Sequence, residues 1–129
     1  MTWVVSVKGV LRHAGRYLLA RNDRGEWELP GGQLEESESP EQGVAREVYE
    51  ETNLRVDVGP VLRAWNFEVV AGRHVVVIAY GCTLVSPPAD LTISDEHAEL
   101  RFFERADLAG ISLPEGYRRA LDDSDRIAR

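Results

Sequence analysis

The segment Ser39 to Leu54, SPEQGVAREVYEETNL, leaves this chain little freedom in how it folds locally. Ser39 is placed as a helix N-cap, Pro40 at the first helical position, and Gln42 completes an S-x-x-Q capping box. The helix is therefore expected from Pro40 to about Thr52. At about 100° per residue, Val44, Ala45, Val48, Tyr49 and Thr52 fall within an arc of about 140°. Glu47, Glu50 and Glu51 fall within about 100° on the other side. One face should pack on a sheet while the other presents carboxylates. Asn53 follows the helix where a left-handed backbone is expected, and asparagine enters that region more readily than any residue but glycine.

The rest of the pattern is mostly extended. Trp3 to Leu11 and Arg16 to Arg21 read as a hairpin turning at His13-Ala14-Gly15, followed by a turn at Asn22 to Gly25. Trp27-Glu28-Leu29 is a short extended piece stopped by Pro30, and Gly31 to Glu38 reads as a loop. Leu54 to Val70 and His74 to Leu84 are strands joined at Ala71-Gly72-Arg73. Val75 to Cys82 is apolar almost without alternation, as in a central strand covered on both faces. Pro87-Pro88 marks a loop, Leu100 to Glu104 another strand, and Leu108-Ala-Gly and Pro114 to about Asp122 are helical. Asp123 to Arg129 is expected to fray. Two helices with a largely antiparallel set of strands imply an α+β sandwich.

A length of 129 residues suits one domain spanning 1–129. The composition, 43% hydrophobic and 29% charged, is that of a globular protein. No apolar run reaches the roughly 18 residues of a membrane span, and the N-terminus lacks the pattern of a secretory signal. Cys82 lies in an apolar run and reads as a buried small hydrophobe; a cytoplasmic protein is the default. The net charge of −7 argues against nucleic-acid binding, which needs a basic surface.

Crowded acids on one helix face repel by roughly 0.2–0.5 kcal/mol per pair. They call for a positive neutraliser, and a divalent cation beside a phosphate is the natural one. Gly32, Glu38, Arg46, Glu47, Val48, Glu50, Glu51 and Leu54 match the box G-x5-E-x7-R-E-U-x-E-E-x-G-U, where U is bulky and aliphatic. Trp27 to Gly31 resembles the usual approach to it. On these residues the chain resembles the Nudix hydrolases. The departure is Asn53 in place of the last box glycine. The resemblance implies a Nudix-type α/β/α sandwich with a mixed, largely antiparallel sheet, and Mg²⁺- or Mn²⁺-dependent hydrolysis of a diphosphate bond. It implies a small phosphorylated nucleoside as substrate and allows a homodimer.

Hard cations prefer carboxylate and carbonyl oxygens. Glu47, Glu50 and Glu51, spaced to converge on one cluster, are the candidate metal ligands, joined through the resemblance by the Gly31 carbonyl. Glu38 and Arg46 are expected to form a bracing ion pair. The catalytic candidates are Glu47, Glu50 and, within Asp95-Glu96-His97-Ala98-Glu99, Glu96, with Glu99 second. That acidic run reads equally as a solvated loop. Arg21 is either a phosphate contact or an ordinary exposed arginine, and Gly32 lets substrate approach the backbone. His13, His74 and His97 read as surface histidines, and Trp27, Trp65, Phe67 and Tyr80 as core or cleft wall. The competing readings are a nucleotide-binding sensor on the same fold and an ADP-ribose or nucleotide-sugar pyrophosphatase. Intact acids weigh against the sensor; the missing subfamily markers weigh against the other.

Overall fold

The computed structural model describes residues 2–94, 97 and 99–128, and of these the side chains at 2 and 67–70 are outside the description. Among the described residues there are seven strands and two α-helices. The strands are β1 (Thr2–His13), β2 (Arg16–Arg21), β3 (Trp27–Glu28), β4 (Gly31–Gln33), β5 (Val56–Val70), β6 (Arg73–Leu84) and β7 (Glu99–Glu104). The helices are α1 (Pro40–Thr52) and α2 (Glu115–Ala128), with 3₁₀ turns at Pro88–Asp90 and Arg105–Gly110.

β1 organises the sheet. It runs parallel to β6, with Val5 opposite Val76 and Lys8 opposite Ala79. On its other edge the first half pairs antiparallel with β4, Lys8 opposite Gly31, and the last turn pairs with β2. The remaining ladders, β2 with β3, β2 with β7 and β5 with β6, are antiparallel. The sheet is therefore mixed and mostly antiparallel, and β6 is central, between β1 and β5.

Strand alternation sends side chains to two cores. Val7 and Leu11 of β1, Leu18 of β2 and Tyr80 and Cys82 of β6 pack with Val44 and Val48 of α1 and with Leu54. Val10, Tyr17, Leu19, Trp27, Ala79 and Phe103 pack with Ala120 and Leu121 of α2. Helices thus cover both faces, as an α/β/α sandwich requires. Burial of the Cys82 thiol pushes its pKa up to about 12, which leaves it protonated.

The capping box is formed as the sequence dictates: Ser39 Oγ accepts from the Gln42 N–H, and Gln42 Oε1 accepts from the Ser39 N–H. Asn53 has φ 64°. Four expectations need correction. The supposed loop after Pro30 opens with β4, because the glycine pair can lie flat against β1. Tyr49 is 41% exposed, beyond the buried stripe of Val44, Val48 and Thr52, and its ring carries the Arg55 guanidinium 4.5 Å from the centroid. Glu51, placed on the face that presents carboxylates to solvent or ligand, is only 4% exposed. Finally, α2 does not fray at Asp123: that residue is buried and its carboxylate accepts from Arg63 Nε at 2.7 Å. Helix α2 accordingly continues to Ala128.

Candidate active site

Three pieces of chain meet at the site: β4, the end of α1, and the middle of β1. Gly31 has φ 149°, and a Cβ there would lie 2.1 Å from the Val7 carbonyl oxygen and 2.7 Å from Lys8 Cα. Only glycine fits. Its N–H donates to Glu51 Oε2 at 2.9 Å, a bond that fastens β4 to the helix. At Gly32 a Cβ would lie 2.7 Å from the Glu47 carboxyl carbon, the movable end of a side chain. The glycine pair is thus the surface on which two box carboxylates rest.

Arg46 governs the other acids. Its Nε and Nη2 donate to Glu38 at 2.6 and 3.0 Å, a bidentate pair that lowers the Glu38 pKa and raises that of the guanidinium. Its Nη1 reaches Glu47 at 3.0 Å and Glu50 at 3.3 Å, and Nη2 donates to the Gln33 carbonyl at 3.3 Å. The Glu38–Arg46 ion pair expected from the sequence is therefore present and ties the loop to the helix. The expected convergence of all three acids is not. Glu47 and Glu50 lean on Arg46 while Glu51 turns inward to Gly31, because each charge takes the nearest donor. Among the described residues no group of three or more His, Cys, Asp or Glu side chains is arranged as a metal cage.

Burial pushes the Glu51 carboxyl up to about 7, and the charge of Glu47 adds to this. The Gly31 N–H, Lys8 and His97 act in the opposite direction. A buried carboxylate beside another, backed by a backbone cradle that excludes side chains, is suited to a hard cation. The donor set is oxygen throughout, as Mg²⁺ or Mn²⁺ requires.

The region next to the box brings His97, Glu28 and Lys8 together. His97, expected at the surface, has a side chain only 5% exposed and is held by Glu28, Nε2 to Oε1 at 2.9 Å. Its Nδ1 is buried with no hydrogen-bond partner among the described residues. The bond to Glu28 raises the His97 pKa. Burial alone would raise that of Glu28, but the His97 bond and the charge of Lys8 outweigh it and the net shift is downward. Lys8 is the third member, and sequence carried one hint of it: a charge at a core-facing position of an apolar strand. Nothing local links Glu28 to a histidine 69 residues on.

Beside these residues opens a cavity of about 580 Å³ walled by Trp27, Trp65, Tyr117 and Pro114, with Glu28 and Asn22 at its polar side. Trp65 and Tyr117 meet edge to face with centroids 5.7 Å apart. Trp27 and Trp65 are thus cleft wall, whereas Tyr80 is core. Arg21 pairs with Glu99 at 3.3 Å across the β2–β7 ladder, so its charge is already balanced. His13 is exposed, and His74 is half-buried, stacked on Trp3. Glu96 and the Phe67 side chain lie outside the described residues.

The NUDIX domain family model matches residues 2–123. The chain belongs to the Nudix hydrolase family, whose members act on phosphoanhydride bonds, generally with divalent metal ions. It is similar to a MutT-like protein of Streptomyces ambofaciens, 48% identical over 80 residues that make up 60% of this chain and 50% of that one. This Nudix chain thus spans about half the length of that relative. It is also similar to the nucleoside triphosphatase NudI of Enterobacter sp. (strain 638), 25% identical over 126 residues covering 84% and 87% of the two chains. Among solved structures, the MutT protein of Methanosarcina mazei Go1 superposes with a TM-score of 0.81 at 30% identity, covering 98% of this chain and 96% of that one. No described helix is long and apolar enough to cross a membrane.

Proposed function

We propose that this chain hydrolyses the diphosphate bond of a nucleoside di- or triphosphate with Mg²⁺ or Mn²⁺. The observation that carries the reading is the packing of Glu47 and Glu51 against the Gly31–Gly32 backbone, beside an aromatic cavity of about 580 Å³. The similarity to NudI, a nucleoside triphosphatase, supports the choice of substrate class.

Glu47, Glu50, Glu51 and the Gly31 carbonyl would hold the cation. When bound, it would polarise a phosphoryl oxygen and lower the pKa of water. The chain's own residues then divide the remaining work. Gly32, lacking a side chain, lets the Glu47 carboxylate rest directly against the backbone of β4. Arg46, anchored on Glu38, sets the direction of Glu47 and Glu50. Glu47 is our first choice to take the proton from the attacking water, with Glu50 and Glu96 the other candidates. The rings of Trp27, Trp65 and Tyr117 provide apolar walls between which a base can be sandwiched.

The test is a chromatographic assay of nucleoside monophosphate formation across nucleoside di- and triphosphates, ADP-ribose and nucleotide sugars, with and without Mg²⁺. We expect turnover of at least one nucleotide, abolished by chelation and reduced roughly a hundredfold or more in Glu51→Gln. Equal turnover by Glu51→Gln would refute its metal role. Tight nucleotide binding with no hydrolysis of any member would make the chain a sensor.

A further inference from the structure

Lys8 lies where a lysine is least expected. Odd-numbered neighbours Val7 and Leu11 enter the core under α1, and Val10 enters the core under α2. Lys8 shares the direction of Val10 and is only 7% exposed. Its stem runs over Gly31, whose missing side chain makes the room: a Cβ there would meet Lys8 Cδ at 2.8 Å. Its tip comes to 5.7 Å from the centroid of the Tyr117 ring, one wall of the cavity. Lys8 therefore bridges the floor of the box and the aromatic cleft.

A buried ammonium is costly unless an anion meets it. Glu28 and Glu51 are near enough to feel its charge. Yet among the described residues no carboxylate oxygen lies within 4.0 Å of its Nζ. Each acid already has its own donor, His97 for Glu28 and the Gly31 N–H for Glu51. A lysine serving only as their counter-charge would touch one of them. This one instead hydrogen-bonds the Tyr117 side chain, whose ring walls the cavity, so its ammonium sits between the carboxylates and the aromatic cleft.

We propose that Lys8 is a substrate-binding residue, its ammonium taking the phosphate that joins the nucleoside to the bond being cleaved. This rests on the nucleotide reading above. An ammonium offers three donors and a full charge to phosphoryl oxygens without fixing their geometry. It thereby complements the oxygen-only box, which binds phosphate through a cation and not directly.

The test is Lys8→Met, which keeps the apolar stem and removes the charge. Calorimetry without metal compares the common ribonucleoside monophosphates with their parent nucleosides, and steady-state kinetics follows the best panel substrate. Affinity for the monophosphate should fall roughly tenfold to a hundredfold while the nucleoside binds as before. KM should rise more than kcat falls, and Lys8→Arg should recover part of the loss. Monophosphate binding unchanged in Lys8→Met, or monophosphate and nucleoside weakened alike, would overturn the assignment. The second outcome would mark a purely structural lysine. Should Lys8→Met fail to fold, Lys8→Gln is read by the same pair of ligands. A wild type that hydrolyses nucleotides while Lys8→Met behaves identically sinks only this inference. A wild type that neither hydrolyses nor binds any nucleotide sinks the proposed function.

Discussion

At the scale of single residues, Asn53 shows how a departure from a motif can be absorbed. Its backbone is left-handed at φ 64°, and its N–H caps α1 by donating to the Tyr49 carbonyl. Its side chain adds a bond that glycine cannot make, Nδ2 donating to the Asp90 carbonyl at 3.0 Å. Asn53→Gly gains backbone freedom in the left-handed region but loses that exposed bond. The two effects are each about 1 kcal/mol or less, so the free energy of chemical unfolding should change by no more than that. Asn53→Val, with a branched side chain at positive φ, should cost more, about 1–2 kcal/mol. A large loss in Asn53→Gly would show that the side-chain bond, not the backbone, holds this end of the helix.

Helices α1 and α2 are stabilised in different ways. α1 carries its instructions locally, in a capping box, an N1 proline and an apolar stripe. α2 is amphipathic too, but its last turns are held by tertiary ion pairs, the most buried being Arg63 of β5 on Asp123, with Arg105 on Asp122 and Asp125 and Arg12 of β1 on Asp125. Arg126 also pairs with the Asp123 carboxylate. The bond from Arg63 holds the Asp123 pKa below its usual value of 3.8. A depressed carboxylate stabilises the fold above the unfolded pKa, and its contribution fades as pH falls through the folded value. Asp123→Asn should cost about 1.5–3 kcal/mol at neutral pH, with the end of α2 losing amide-exchange protection first. Wild type and variant should converge in acid. An unchanged melting temperature at pH 7 would show that the C-terminal turns hold without Arg63.

At the scale of the whole molecule, the site is built at the expense of stability. Glu51 keeps its proton to about pH 7 in the folded chain but only to its ordinary 4.5 when unfolded. The folded state therefore binds more protons between those values, and stability falls as pH rises through that window, by about 3 kcal/mol for this group. His97, whose pKa Glu28 raises above 6.5, acts in the same direction: its contribution is complete below 6.5 and is lost as pH climbs through the folded value. Melting curves of the metal-free chain should therefore fall from pH 5 to 8, with a shallower slope in Glu51→Gln. Mg²⁺ should raise the melting temperature more at pH 8 than at pH 6, because the cation takes the ionised carboxylate. An equal pH slope in Glu51→Gln would show that its carboxyl is not held protonated.

These scales also separate what the amino acids state openly from what they leave to the fold. Ser39, Pro40 and Gln42 fix where α1 begins, Asn53 fixes where it ends, and the spacing of Glu38 and Arg46 fixes their pairing, because each interaction spans a turn or two of chain. The two faces of β1 and β6 follow from alternation. The inward turn of Glu51 did not follow from helix phase, since the deciding partner, Gly31, lies 20 residues earlier on another element. Tyr49 was misplaced for the same reason: helix phase gives a direction, not what waits there. The convergence of Lys8, Glu28, Glu51 and His97 exists only once β1 is set against β4 and the chain before β7 is folded against β3. The sequence by itself determined the family's box, the helix that carries it and the alternation of the strands, all short-range matters of backbone and period. Tertiary structure alone decided which charges share the buried cleft, because that depends on sheet register between segments far apart in the chain.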